Sequence, residues 1–365
     1  MAIPLFDTAA QLREVREEVN RAIAGVIESG RFILGPEVEA FERELAAFLG
    51  VRHVVGVANG TDAITIALRG LGVGPGDEVV VPSFTFYASA EAIPHTGARP
   101  VFCDVDPDTF CVTAETVERA LTPATKAVIA VHLFGRAAPV GDLRQLLDGR
   151  GVAILEDSAQ AAGARSGGQR AGSLGDAATF SFFPSKNLFC FGDGGAIATN
   201  DDEVAAHVRT LRFHGSRDKS TFTEVGWNSR LDALQAAVLR VTLGRLDDWN
   251  ARRRALAAAY AQEGLGELVD VPEPVGDEEP VHHLYAVRTR DPDAVSRALA
   301  DAGVAARSYY RVPVHMQPAM AAWPPPHDLP GTMRAAETNL ALPMGPTLSP
   351  DTARQVVEAL RRSGP

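Results

Sequence analysis

Lys186 sits in the run Phe180-Ser181-Phe182-Phe183-Pro184-Ser185-Lys186-Asn187, and Glu156-Asp157-Ser158-Ala159-Gln160 lies one strand-turn-strand unit upstream. A lysine amine attacks aldehydes to form a Schiff base, and desolvation frees that amine by lowering its pKa. Phe182, Phe183, Leu188 and Phe189 flank Lys186 and are expected to supply the desolvation. Asp157 follows the apolar run 152–155, where a carboxylate is expected to be buried and to need a cationic partner. A pyridine aldehyde cofactor uses both groups. The amine binds its aldehyde, and the carboxylate keeps its ring nitrogen protonated so that the ring withdraws electrons. The pair points to pyridoxal 5'-phosphate (PLP), with Lys186 as the catalytic residue. The competing readings are a solvated surface lysine and an ion pair between Asp157 and an internal arginine.

Smaller signals surround the pair. Gly60-Thr61-Asp62-Ala63 follows a predicted strand and opens a predicted helix, so its backbone N–H groups and the Thr61 hydroxyl form a phosphate seat, or else a simple helix cap. Phe86 begins the next strand-end loop, where a flat ring stacks on a cofactor or fills a core. Gln160 is placed to donate to a ring hydroxyl, and Ser181 leaves a strand where its hydroxyl reaches phosphate. His132, His214 and His315 show no metal-ligand spacing, and His282-His283 reads as structural.

The elements that must position these residues alternate. The first fifty residues read as two helices, with Leu12, Val15, Val19, Ile23 and Val26-Ile27 recurring at helical spacing in the first and Val38, Phe41, Leu45 and Phe48 in the second. From residue 53 onward short apolar runs (54–57, 78–81, 101–103, 127–131, 153–156) alternate with helical patterns (62–71, 87–95, 114–121, 140–147). This predicts a mostly parallel mixed sheet flanked by helices, whose ligands gather at the carboxyl ends of the strands. A strand is expected at 196–199, a helix at 201–213 and one long Arg-rich helix at 228–262. A Pro/acidic linker (272–280), a strand at 284–287, a helix at 294–302, an extended stretch at 304–314 and a last helix at 350–362 complete the reading. It divides into an N-terminal segment with a large domain, 1–248, and a smaller α+β domain, 249–365.

Bulk properties narrow the class. With 365 residues, 46% hydrophobic and 22% charged, the chain has ample core for such a protein. A net charge of −11 without a basic tract argues against nucleic acid as a partner. No signal peptide or membrane span is evident. Three cysteines, Cys103, Cys111 and Cys190, without metal spacing suit a reducing cytoplasm.

Taken in order, these motifs resemble the DegT/DnrJ/EryC1/StrS sugar aminotransferases, PLP enzymes of the aspartate aminotransferase fold (fold type I). The resemblance runs from about residue 30 to 360. It rests on Gly30-Arg31-Phe32-Ile33-Leu34-Gly35-Pro36-Glu37, Gly60–Ala63, Val131-His132-Leu133-Phe134-Gly135, Glu156–Gln160, Ser181–Asn187, Gly192-Asp193-Gly194-Gly195, Gly226-Trp227-Asn228-Ser229-Arg230-Leu231 and Pro313-Val314-His315. It implies that Lys186 binds the PLP aldehyde, Asp157 the ring nitrogen, Gln160 the ring hydroxyl and Phe86 the ring face. Gly60, Thr61 and Ser181 would seat the phosphate. Asn228 would reach across a homodimer interface to the partner's cofactor phosphate, so that active sites are shared. Arg230 is similar to the arginine that meets the nucleotide diphosphate. Tyr309, Tyr310 and His315 fall in a substrate-contacting segment, where relatives often carry His before Tyr; that departure leaves the sugar open.

The implied reaction moves an amino group from L-glutamate to a keto group of a dTDP- or UDP-activated hexose, with a lean toward position 3. The alternatives are amination of a keto-cyclitol or other secondary-metabolite precursor, and a sugar dehydratase, whose relatives place His where Lys186 stands. A non-catalytic regulator on a retired PLP fold is a further rival.

Overall fold

The computed structural model describes residues 2–273 and 275–363. Helices α1 (Thr8–Ser29) and α2 (Pro36–Leu49) lead into β1 (His53–Val57), α3 (Gly60–Gly70), β2 (Glu78–Pro82), α4 (Ala88–Glu91), β3 (Arg99–Cys103) and α5 (Ala114–Glu118). Then come β4 (Thr125–Val131), α6 (Val140–Leu147), β5 (Ala153–Asp157), a small hairpin of β6 (Arg165–Ser166) and β7 (Gln169–Arg170), β8 (Ala177–Ser181), β9 (Gly195–Thr199) and α7 (Asp202–Leu211). The remainder holds α8 (Ala233–Leu243), α9 (Leu246–Gln262), β10 (Tyr285–Arg288), α10 (Pro292–Asp301), α11 (Pro330–Thr338), β11 (Asn339–Leu342) and α12 (Pro350–Ser363).

Seven strands form one sheet in the order β1-β9-β8-β5-β4-β2-β3. Only β9 runs against its neighbours; β8, β5, β4, β2 and β3 are parallel. The pleat divides the side chains between two cores. Val55 and Val57 of β1, Ala177 of β8 and Ile197 of β9 face one core with α3, α6 and α7. Val54, Ala178, Phe180, Ala196 and Ala198 face the other, with α1, α2 and α8. Both faces are covered, as a parallel sheet requires, so its strands read as continuous apolar runs. A third core gathers Leu256 and Tyr260 of α9, Tyr285 and Val287, Leu299, Leu340 and Leu342, and Val356 and Leu360 of α12. Helix α9 passes from one core to another: Leu246 and Trp249 belong to the sheet, Leu256 and Tyr260 to the antiparallel β10–β11 pair.

Two expectations are corrected, and two elements are added. The single helix over 228–262 is two, because the run 228–232 is extended, with Ser229 N–H bonded to Arg212 O, and because Gly244 and Arg245 separate α8 from α9. The helix over 87–95 stops at Glu91, since Pro94 brings no N–H donor and opens a separate 3₁₀ turn at Pro94–Thr96. Helix α11 and strand β11 were not foreseen. The four residues of β11 are a strand only because Tyr285–Arg288, some fifty positions away, pairs with them.

Candidate active site

At the carboxyl ends of β1, β2, β4, β5 and β8 lies a cavity of about 500 Å³. Its wall includes Gly60, Thr61, Phe86, Asp157, Gln160, Ser181, Lys186, Tyr309 and Tyr310, so nine residues singled out from the sequence meet in one place. Every parallel strand points its carboxyl end the same way, and the loops that follow are brought to one edge.

Asp157 ends β5 and is buried. Its Oδ1 accepts from Ala159 N–H at 3.1 Å and its Oδ2 from Ser89 Oγ at 2.7 Å. Since the Ser89 hydroxyl hydrogen goes to Asp157, Thr85 Oγ1 must donate to Ser89 Oγ, 3.0 Å away. No arginine or lysine forms a salt bridge with Asp157 among the described residues, which removes the internal ion pair as an explanation. A buried carboxylate held by neutral donors and open to a cavity suits a cation that arrives with a ligand. Ser89 and Thr85 left no signal in the sequence, because α4 is a single turn in which a serine reads as filler.

Lys186 lies in the turn after β8, its N–H bonded to Phe183 O at 2.8 Å. Burial in the cavity wall pulls its amine down to about 8, while the charge of Asp157 pulls it up. Phe182, Leu188 and Phe189 turn into the core beneath and anchor the turn, and of the four flanking residues only Phe183 lines the cavity.

Gly60 begins α3, capped by Asn59 Oδ1 accepting from Asp62 N–H at 2.8 Å. A Cβ at Gly60 would lie 2.7 Å from Ser181 Cβ, so the helix N-terminus and the Ser181 hydroxyl approach closely only with glycine there. The first-turn N–H groups and two hydroxyls form an anion seat. Gly60→Ala is expected to keep the fold while weakening retention of a phosphate-bearing cofactor by about tenfold or more, one lost charge-assisted contact being worth roughly 1.5–3 kcal/mol. Equilibrium dialysis of the variant reads this directly, and unchanged retention would show that the seat lies elsewhere.

Gln160 is held at both ends: Oε1 accepts from Phe134 N–H at 2.8 Å, and Nε2 donates to Tyr310 Oη at 3.0 Å. One of its two Nε2 hydrogens is thus spent on a tyrosine, which the sequence did not indicate. Tyr310 adopts a left-handed backbone (φ 57°), and its ring lies parallel to that of Phe134, centroids 6.1 Å apart. Burial raises its phenol, which stays a neutral hydroxyl. Phe86 is 55% exposed, its ring free to cover a ligand.

Three expected site residues are not in this wall. Asn228 is exposed, and Arg230 stands over the Phe213 ring at 5.7 Å. His315 is tied to the Ser83 hydroxyl, Nδ1 to Oγ at 2.6 Å. His132 has a different task. Its Nδ1 accepts from Ala138 N–H, so Nε2 carries the hydrogen given to Glu156. Glu156 also accepts from the N–H groups of Gly172, Leu174 and Gly175, which ties the 172–175 loop under β5.

The residues present fit PLP. A reactive amine, a buried carboxylate without a salt bridge, and a glycine-dependent anion seat share a cavity of suitable size. Fold and site together define a PLP-dependent enzyme. Residues 13–361 match the DegT/DnrJ/EryC1/StrS aminotransferase family, and the chain belongs to it. It is 48% identical over 361 residues to a dTDP-3-amino-3,4,6-trideoxy-alpha-D-glucose transaminase of Streptomyces venezuelae, covering 98% of this chain and 95% of that one. It is 42% identical to a UDP-N-acetyl-3-dehydro-alpha-D-glucosamine 3-aminotransferase of Acidithiobacillus ferrooxidans, covering 99% and 98%. Among solved structures, S. venezuelae DesV in complex with a ketimine intermediate superposes with a TM-score of 0.95 at 47% identity, over 99% of this chain and 98% of that one.

Proposed function

We propose that this chain transfers the amino group of L-glutamate to the keto carbon at position 3 of a dTDP- or UDP-activated hexose. The observation that carries the reading is the meeting of Lys186 and Asp157 in one cavity, in a chain closely similar over its length to two transaminases of nucleotide 3-amino sugars. Bound PLP would supply a ring that draws electrons from the substrate carbon bearing the amino nitrogen. Lys186 holds the cofactor, Asp157 the ring nitrogen, Gln160 the ring hydroxyl, Phe86 the ring face, and Gly60, Thr61 and Ser181 the phosphate. Once freed, Lys186 Nζ takes the proton from the donor's α-carbon and, in the second half-reaction, delivers one to the sugar carbon. An amine titrating near 8 is well matched to both tasks. Tyr309 and Tyr310 are read as sugar contacts. Incubation with PLP, L-glutamate and a dTDP- or UDP-3-keto-hexose should yield 2-oxoglutarate and a sugar whose keto oxygen is replaced by an amine. Turnover of keto-cyclitols alone would move the reading to that alternative.

We further read the protein as a cytoplasmic homodimer with shared sites, each chain divided at 248/249 within α9. Asn228 and Arg230 lie outside the cavity of their own chain, which supports their service to a partner's cofactor phosphate and substrate diphosphate. Exposed Phe32, Ile33 and Phe191 offer apolar surface for the contact. The three cysteines are free and buried, as a reducing compartment allows, and no described helix is long and apolar enough to cross a membrane. Mixing inactive Lys186→Ala chains with impaired Asn228→Ala chains should restore activity, because each mixed dimer rebuilds one intact site. Failure of the mixture to exceed either variant alone would rule out sharing through Asn228.

A further inference from the structure

We infer that His283 is a positioning residue for the transamination, held as its Nδ1–H tautomer so that a bare Nε2 is left open in the cavity wall to receive a hydrogen bond from the Lys186 amine when that amine swings free. The argument is a count of donors that begins at backbone carbonyls. Asn250 of α9 donates from Nδ2 to Ala162 O at 2.9 Å, which turns its Oδ1 toward Asn187. Asn187 gives its two Nδ2 hydrogens to that Oδ1 at 2.9 Å and to Val281 O at 3.1 Å. Its own Oδ1, an acceptor only, therefore faces His283 Nδ1 at 3.2 Å, and the hydrogen must sit on the histidine. A neutral imidazole with a hydrogen on Nδ1 has a lone pair on Nε2. That nitrogen has no hydrogen-bond partner among the described residues, on a side chain that shares the cavity wall with Lys186.

The charged neighbours keep the ring from taking a second proton. Burial comes first, then the cations of Lys186 from the turn after β8 and Arg253 from α9, and together they hold the imidazole well below its ordinary value. Arg253 is itself buried and donates to His282 O at 3.1 Å. The backbone that carries the histidine is clamped as well. Val281 N–H bonds to Gly135 O, and a Cβ at Gly135 would lie 2.7 Å from His283 N. Asn187 is the residue after Lys186, so one chain of amides fixes the histidine and the lysine turn together.

The inference rests on Lys186 being the reactive amine. Asn places an amide nitrogen where the imidazole has Nδ1, and Gln places an amide oxygen where it has Nε2. In His283→Gln the acceptor is kept, and kcat should stay within about fivefold. In His283→Asn the donor to Asn187 is kept but the acceptor is lost, and kcat should fall by about 10²-fold. The second readout needs no cofactor: competitive acetylation of the apo-protein across pH 6–10, with the peptide bearing residue 186 quantified by mass spectrometry. The wild-type amine should titrate near 8, and in His283→Asn about one pH unit lower, because the acceptor that favours the ammonium is gone. An unchanged midpoint and unchanged kcat in His283→Asn would overturn the inference. If wild-type residue 186 never binds the cofactor, the reading of Lys186 fails instead. If the variants do not fold, nitrogen-15 spectra of wild-type histidines decide the matter: an Nε2–H tautomer, or a ring that titrates normally near 6.5, refutes the proposal.

Discussion

Lys186→Ala is expected to abolish covalent attachment of the cofactor and to lower kcat by at least about 10⁴-fold, since in the proposed reaction the same nitrogen is anchor and proton carrier. After borohydride reduction, the wild-type peptide containing residue 186 should carry the cofactor's added mass and the variant's should not. The fold should survive, because the side chain lines a cavity while Phe182, Leu188 and Phe189 hold the turn from beneath. A pH test on the apo-protein checks the same group. Its amine lies near 8 in the folded chain against 10.5 when unperturbed, so between these values the unfolded chain binds more protons. Stability must then rise with pH across that window, and Lys186→Ala should lose that part of the slope in urea melts. A variant that still bears the cofactor mass would place the attachment at another residue.

Asp157→Asn is expected to separate activity from stability. The isosteric amide keeps an oxygen for Ser89 or Ala159 but no longer carries the charge that holds a pyridine nitrogen protonated. Loss of one preorganised electrostatic partner costs about 10²–10³-fold in kcat. Apo stability should hold, because the variant removes a buried charge whose cationic neighbour, the Lys186 amine, forms no salt bridge with it. Urea midpoints and steady-state rates on the same preparations read both. A large fall in midpoint with a small fall in rate would mean that Asp157 serves the fold and not the cofactor.

Alternating apolar runs and helical patterns sufficed to give the α/β architecture, because a sheet covered on both faces needs buried strands of that composition. The two chemical groups were legible for a related reason. A carboxylate that ends an apolar strand and a lysine set among aromatics both contradict their surroundings, and such contradictions show in one dimension.

Other features became visible only in three dimensions. The passage of α9 from one core to another happens within the helix, and β11 exists only through its pairing with β10. Ser89 and Thr85 matter because β5 delivers Asp157 to them. His283 looked structural in the chain, and the Asn250–Asn187 amides reveal which of its nitrogens holds the hydrogen. Asn228 read as serving a partner's site and Arg230 and His315 as substrate contacts, and the fold sets all three outside the cavity wall of their own chain. Sequence by itself determined which residue types meet at the cavity and which strand ends hold them. Tertiary structure alone decided their hydrogen-bond partners, because donor and acceptor pairing depends on distances between segments that lie far apart along the chain.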